Sequence, residues 1–215
     1  MEFDLRKLSA KNRYKLLTGV VVPRPIALVT SMDENGVVNA APFSYFNMMG
    51  SDPPIVALGP AWRADSSPKD TPRNIRATGE FVINLVDENL ARQMNICAVD
   101  FPPHESEVAA AQLELAPSVM VKVPRLAASP VHLECREHST IEIGRTRVVL
   151  GEVLHLRIRD DLVDAEKFYV HSGEIGLIGR MHGGGWYART SDLFEMPRMT
   201  YEEWQAGNES YSGSG

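Results

Sequence analysis

What most constrains this 215-residue chain is a series of β-branched, apolar runs, "PIALVTSM", "PIVALGP", "EFVINLV", "PVHLECRE" and "TRVVLGEVLHLRIRD", with few helical stretches between them. A parallel sheet needs a crossover, usually a helix, between successive strands, and no such regular alternation is present, so an antiparallel barrel with peripheral helices is expected. The first run ends in "DENG" (Asp33 to Gly36), whose Asn-Gly pair is the strongest short hairpin signature, and the chain then turns back through Asn39. In "PVHLECRE", Val131, Leu133 and Cys135 alternate with polar residues and so share one face. Helices are few. Ser9 caps a run ending at Gly19, and Thr71, with Pro72 at the first helical position, caps one ending at Gly79. Asp87 opens a third with Leu90, Met94, Cys97 and Ala98 on one face.

Length and an ordinary apolar fraction predict one domain over residues 1–200, followed by a polar tail over 201–215, whose "GNESYSGSG" reads as disordered. A formal charge of −6 with no block of Lys or Arg argues against a nucleic-acid or anionic-membrane surface, while leaving room for a local basic pocket. The start, "MEFDLRKLSAKNRYK", has no signal-peptide core and no segment has the length of a membrane span, so the expected location is the cytoplasm. Cys97 and Cys135 lack CxxC spacing and read as buried thiols. Cys135-x-x-His138 is half a metal site, and His132, His138 and His155 read as barrel-wall residues, so no metal is expected. The glycines at 173, 176 and 179 lack the strand-GxGxxG-helix setting of a dinucleotide fold, and nothing marks a serine or cysteine nucleophile.

Two stretches carry chemistry. "NAAPFSYFN" (Asn39 to Asn47) follows the hairpin, and Pro42, which cannot donate to a sheet ladder, must lie at an edge or where the strand leaves the sheet. "SSPKDTPRN" (Ser66 to Asn74) begins a helix, and the unpaired amides and positive dipole of a helix N-terminus favour an anion. Ser66, Ser67, Lys69 and Arg73 lie within a few residues of it. A polar-and-aromatic strand end plus a phosphate cradle suits a flat, phosphorylated cofactor, one end held by charge and the ring by amides and side chains.

At this point the sequence resembles the flavin reductase-like proteins, which bind FMN in a split β-barrel of the Greek-key type. The resemblance runs through "PRPIALVTSMDENGVVNAAPFSYF", "DPPIVALGP", "KDTPRNIRATGEFVINLV", "SEVAAAQLELAPS", "PRLAASPVHLEC", "VVLGEVLHLRI" and "GRMHGGGWYAR" in order. It implies that Asn39, Ala41, Pro42, Phe43 and Ser44 line the isoalloxazine and ribityl chain, and that Lys69, Asp70, Thr71 and Asn74 serve the phosphate side. Ser106-Glu107-Val108 and Gln112 depart from the commoner Ser-Glu-Phe with a following glycine, which bears on the active-site wall and on substrate choice. The commoner Arg-x-Gly-Gly becomes Arg180-Met181-His182-Gly183-Gly184-Gly185, making Arg180 and His182 the candidates for substrate binding. The implied activity is transfer of hydride from NADH or NADPH to FMN by a homodimer, with a flavoprotein monooxygenase as one receiver. No side-chain acid or base is required for that transfer. The rival reading is a flavoredoxin-like electron carrier that serves a protein partner.

Overall fold

A computed structural model describes residues 1–61, 69–102 and 105–212, the last six as backbone only. Strands β1 (Ala27–Met32) and β2 (Val38–Phe43) form the hairpin expected at Asp33–Gly36. There the Asp33 carboxylate accepts from the amides of Asn35 and Val37, and Gly36 takes a φ of 86°, where a side chain would be strained. Strands β3 (Phe46–Ser51) and β4 (Pro54–Leu58) make a second hairpin, and β5 (Glu80–Leu85) returns beside β1. After the two-residue strands β6 (Leu115–Ala116) and β7 (Arg125–Leu126) come the long β8 (Val131–Ile143) and β9 (Thr146–Ile158). Short pairs β10 (Val163–Asp164) with β11 (Tyr169–Val170), and β12 (Ile178–Arg180) with β13 (Tyr187–Arg189), complete the set.

The seven-stranded antiparallel sheet has the order β2-β1-β5-β8-β9-β4-β3. Its two edge strands are consecutive in the chain, joined only by Ser44 and Tyr45. Three residue steps span at most about 11 Å, whereas seven flat strands would hold their edges about 29 Å apart. The sheet is therefore rolled into a split barrel, mainly β with helices outside it. Pro42 sits on edge strand β2, paired with Leu28, and the strand continues through it to Phe43; the edge, not a break, accommodates the proline.

Inside the barrel, alternate residues Ala27, Val29, Phe81 and Ile83 pack with Leu58 and Val149. Gly151 is needed here because a Cβ would run into the Phe81 ring, whose Cε1 would lie 3.0 Å away. The outer face of β1 is also covered: Ile26, Leu28 and Ala40 pack against Leu90, Met94 and Cys97. Burial on both faces explains why β1 reads as a continuous apolar run. In β8, Leu133 and Cys135 share the barrel face as expected, while the polar His132 and Glu134 are as buried as Val131 and Cys135, because this strand too is covered on both sides. Glu134 clamps the loop before β7 by accepting from the amides of Val119 at 2.9 Å and Met120 at 2.6 Å.

The helices are α1 (Ala10–Val20), α2 (Asp70–Thr78), α3 (Ala91–Ile96), α4 (Glu107–Ala110) and α5 (Tyr201–Ser212). Ser9 caps α1 as expected, accepting from the Asn12 amide, and the Asp87 carboxylate accepts from Leu90 in the turn before α3. Ala98, expected on the buried face of that helix, is exposed beyond its end. Helix α5 opens the segment 201–215 that the sequence set apart as a polar tail. Thr200 and Glu203 form a capping box, with each backbone amide donating to the other's side chain, which starts the helix despite the polar sequence after it. No helix among the described residues is long and apolar enough to cross a membrane.

Candidate functional site

Helix α2 lies across β1 and β2 because Thr71, Pro72, Asn74 and Ile75 form its buried face. The helix starts at Asp70, with Lys69 in the capping position and no side-chain cap, so Pro72 is its third residue. A proline is tolerated there because the first turn's amides have no intrahelical acceptor. Thr71 is therefore not the cap the sequence suggested. Its hydroxyl is instead free to bond across to the sheet, donating to the Asn39 side-chain oxygen at 2.9 Å. The Asn39 amide nitrogen donates in turn to Glu107 Oε1 at 3.2 Å. The hydrogen-bond network fixes this orientation of the amide. One chain of bonds thus links α2, β2 and α4, and all three elements face a cleft of about 600 Å³.

One wall of the cleft is β2, with Asn39, Ala41, Pro42 and Phe43; the other holds Lys69, Asp70 and Thr71. Lys69 Nζ lies 3.2 Å from Asp100 Oδ1, and Asp70 pairs with Arg73 at 2.5 Å. The anticipated strand and helix residues thus meet at one cavity, apolar along β2 and charged at the helix start. Two do not line it. Asn74 is buried under the helix, donating to Ser31 Oγ at 3.3 Å, and Ser44 lies at the strand end, accepting from Arg24 Nε at 3.4 Å. Ser66 and Ser67 lie outside the described residues.

The sequence reading missed the far wall, Cys97 to Phe101, although Ser106-Glu107 pointed to that side. Burial, reinforced by Glu107, pushes the Cys97 thiol up to about 12, so it is no nucleophile at neutral pH. Burial likewise raises Cys135. Among the described residues no cluster of His, Cys, Asp and Glu would hold a metal. His132 is a satisfied wall histidine on one side only: Nε2 faces the Leu126 carbonyl at 2.8 Å, Nδ1 has no partner, and burial lowers its pKa.

Arg180 and His182 diverge. The Arg180 guanidinium lies 4.7 Å over the Tyr187 ring, whereas His182 lines a separate cavity beside α1. Both are tied to the cleft's end by Arg24, a buried side chain that the sequence reading left unassigned. Its backbone bridges to Arg180, and its guanidinium donates to the carbonyls of Thr18, Val21 and Met181, each at 2.8 Å.

Comparison with known proteins bears on the family and the fold. The model of the flavin reductase-like domain matches residues 19–175. Pseudomonas fluorescens 2-nitrobenzoate 2-nitroreductase superposes with a TM-score of 0.85 at 37% identity, covering 94% of this chain and 98% of that one. Nitrilotriacetate monooxygenase component B of Bacillus cereus gives 0.86 at 32% identity, over 91% and 98% of the two chains. A flavin reductase with a split-barrel domain from Shewanella frigidimarina, 19% identical over 93% and 100%, shares the fold with a TM-score of 0.78. With the family model covering most of the chain and the split barrel reproduced, the protein belongs to the flavin reductase-like family.

Proposed function

We propose that this protein binds FMN in the cleft between β2 and α2 and works as an NAD(P)H-dependent flavin reductase. The observation that carries the reading is the Thr71–Asn39–Glu107 chain, which fixes an apolar strand edge opposite a helix start that bears Lys69. The residues fit the cofactor. The cleft volume, about 600 Å³, is of ligand-site size, and its polar groups are few and convergent. Lys69 and the amides of the first α2 turn would hold the phosphate, while Ala41, Pro42 and Phe43 would flank the ring. Asp70 is drawn toward Arg73, which reduces its opposition to an anion. Bound FMN would supply the chemistry, taking a hydride from the reduced nicotinamide and passing electrons onward. The chain's task is to orient the ring and exclude water, so no side-chain acid is assigned.

The two relatives above suggest two kinds of receiver, a nitroaromatic acid or a partner monooxygenase. A homodimer is part of the same reading, supported by an apolar groove of about 740 Å³ whose wall includes Phe46, Met48, Val56, Val153 and Leu156. Sedimentation should give twice the chain mass, and a monomer would remove that part. For the function itself, calorimetric titration with FMN should give one site per chain, and the loaded protein should oxidise NADH or NADPH under air. Absence of FMN binding sinks the reading. Binding without nicotinamide oxidation, joined to reduction by a ferredoxin-like donor, replaces the reductase with an electron carrier.

A further inference from the structure

Residues 5–32 contain six basic side chains, Arg6, Lys7, Lys11, Arg13, Lys15 and Arg24, and no Asp or Glu, in a chain whose net charge is −6. Four of the six are accounted for. Arg6 and Lys7 pair with Asp4, the Arg13 guanidinium donates to the carbonyls of Leu5 and Leu8, and Arg24 is buried among carbonyls. Lys11 and Lys15 remain. Among the described residues neither has a hydrogen bond or ion pair, and at i, i+4 on α1 the two charges repel. A helix that keeps two unpaired lysines on one face draws no folding benefit from them.

That face is not plain surface. Lys11, Tyr14 and Lys15, with His182, Gly183 and Gly184, line a cavity of about 570 Å³. The glycine loop rests directly on the helix: a Cβ on Gly183 would come within 2.9 Å of Tyr14 Cε1 and 3.4 Å of Thr18 Oγ1. Arg24 then joins this cavity to the β2 shelf, because its Nη2 holds the Met181 carbonyl, the residue before His182, while its Nε reaches Ser44. One buried guanidinium thus contacts both the loop that carries His182 and Ser44, the residue after Phe43 at the end of β2. Arg180, the other candidate for substrate binding, lies over the Tyr187 ring.

We infer that Lys11 and Lys15, with His182, form the subsite that holds the phosphate groups of the reduced nicotinamide donor while its ring reaches the shelf. The inference rests on the reductase reading above and deepens it. Two mobile ammonium groups suit a phosphate pair that must bind and leave every turnover. The aromatic walls, Tyr14 and the His182 ring 6.3 Å from that of Trp186, suit the flat parts of the same ligand.

The test compares two donors on the FMN-loaded protein: NADH, and an N-benzyl dihydronicotinamide that has the same reactive ring and no phosphate. In the Lys11→Gln/Lys15→Gln variant the apparent KM for NADH should rise by about tenfold or more. The KM for the phosphate-free donor should shift by less than about twofold, and Lys11→Arg/Lys15→Arg should recover most of the NADH affinity. An unchanged KM for NADH overturns the subsite and leaves the reductase reading standing. Equal losses with both donors also overturn it, since the lysines would then merely support the fold. If the unmodified protein oxidises neither donor, the reductase reading itself fails and takes the subsite with it.

Discussion

Replacing Lys69 by alanine should separate two ligands that share a ring and differ by a phosphate. In the free protein Lys69 Nζ stands 3.2 Å from Asp100 Oδ1, with the two side chains 39% and 89% exposed. Solvent screens such a pair, so its loss should cost folding no more than about 1 kcal/mol. A charge-assisted hydrogen bond to a phosphate is worth about 1.5 to 3 kcal/mol, which corresponds to about 10- to 150-fold in Kd. Riboflavin, with no phosphate, should lose less than about twofold. The assay is flavin-fluorescence titration with FMN and with riboflavin, beside a thermal melt of the apoprotein, in which Tm should fall by no more than about 4 °C. Equal weakening of both flavins, or unchanged FMN affinity, would refute the assignment of Lys69 to the phosphate. A large drop in Tm would show that Lys69 holds the fold instead.

Other outcomes follow from packing and charge. Thr71→Val keeps the shape of the side chain but removes the donor to Asn39, so unfolding should become easier by about 1 to 3 kcal/mol in a denaturant titration, with FMN affinity falling as well. Gly151→Ala forces a methyl against Phe81 and should cost about 1 to 3 kcal/mol, part of which Phe81→Leu in the same chain should restore. Because burial lifts the Cys97 thiol to about 12, well above the ordinary thiol value, the folded form keeps its proton longer than the unfolded one. That contribution is fully present below about pH 8.5 and is lost as pH rises toward 12. Cys97→Ala should flatten this part of the alkaline decline, measured by denaturant melts across that window.

Local sequence chemistry carried much of this architecture. The Asp33–Gly36 turn was legible because an Asn-Gly pair between apolar runs admits few backbone paths. Asn39 and Thr71 were legible as members of one site, though not as partners: the helix begins a residue before Thr71 and so turns its hydroxyl to the strand. Glu134 was not legible, since a carboxylate in an alternating strand reads as solvent-facing, and its burial depends on two amides of a loop distant in sequence. The wall from Cys97 to Phe101 escaped for a related reason, because its place depends on where a six-residue helix happens to end. The closure of the sheet through Ser44 and Tyr45 needed the strand order, which no local pattern encodes. At the C-terminus "TYEE" carries a capping box that composition alone does not bring out.

Anaerobic rapid mixing separates a reductase from an electron carrier. FMN-loaded protein is mixed with excess NADH and, separately, excess NADPH, while the absorbance of the oxidised flavin is followed. At least one nicotinamide should bleach the bound flavin in a single turnover, with a rate that saturates as its concentration rises. A flavin that stays oxidised with both donors, yet is bleached by a reduced ferredoxin-like protein, would contradict the reductase reading.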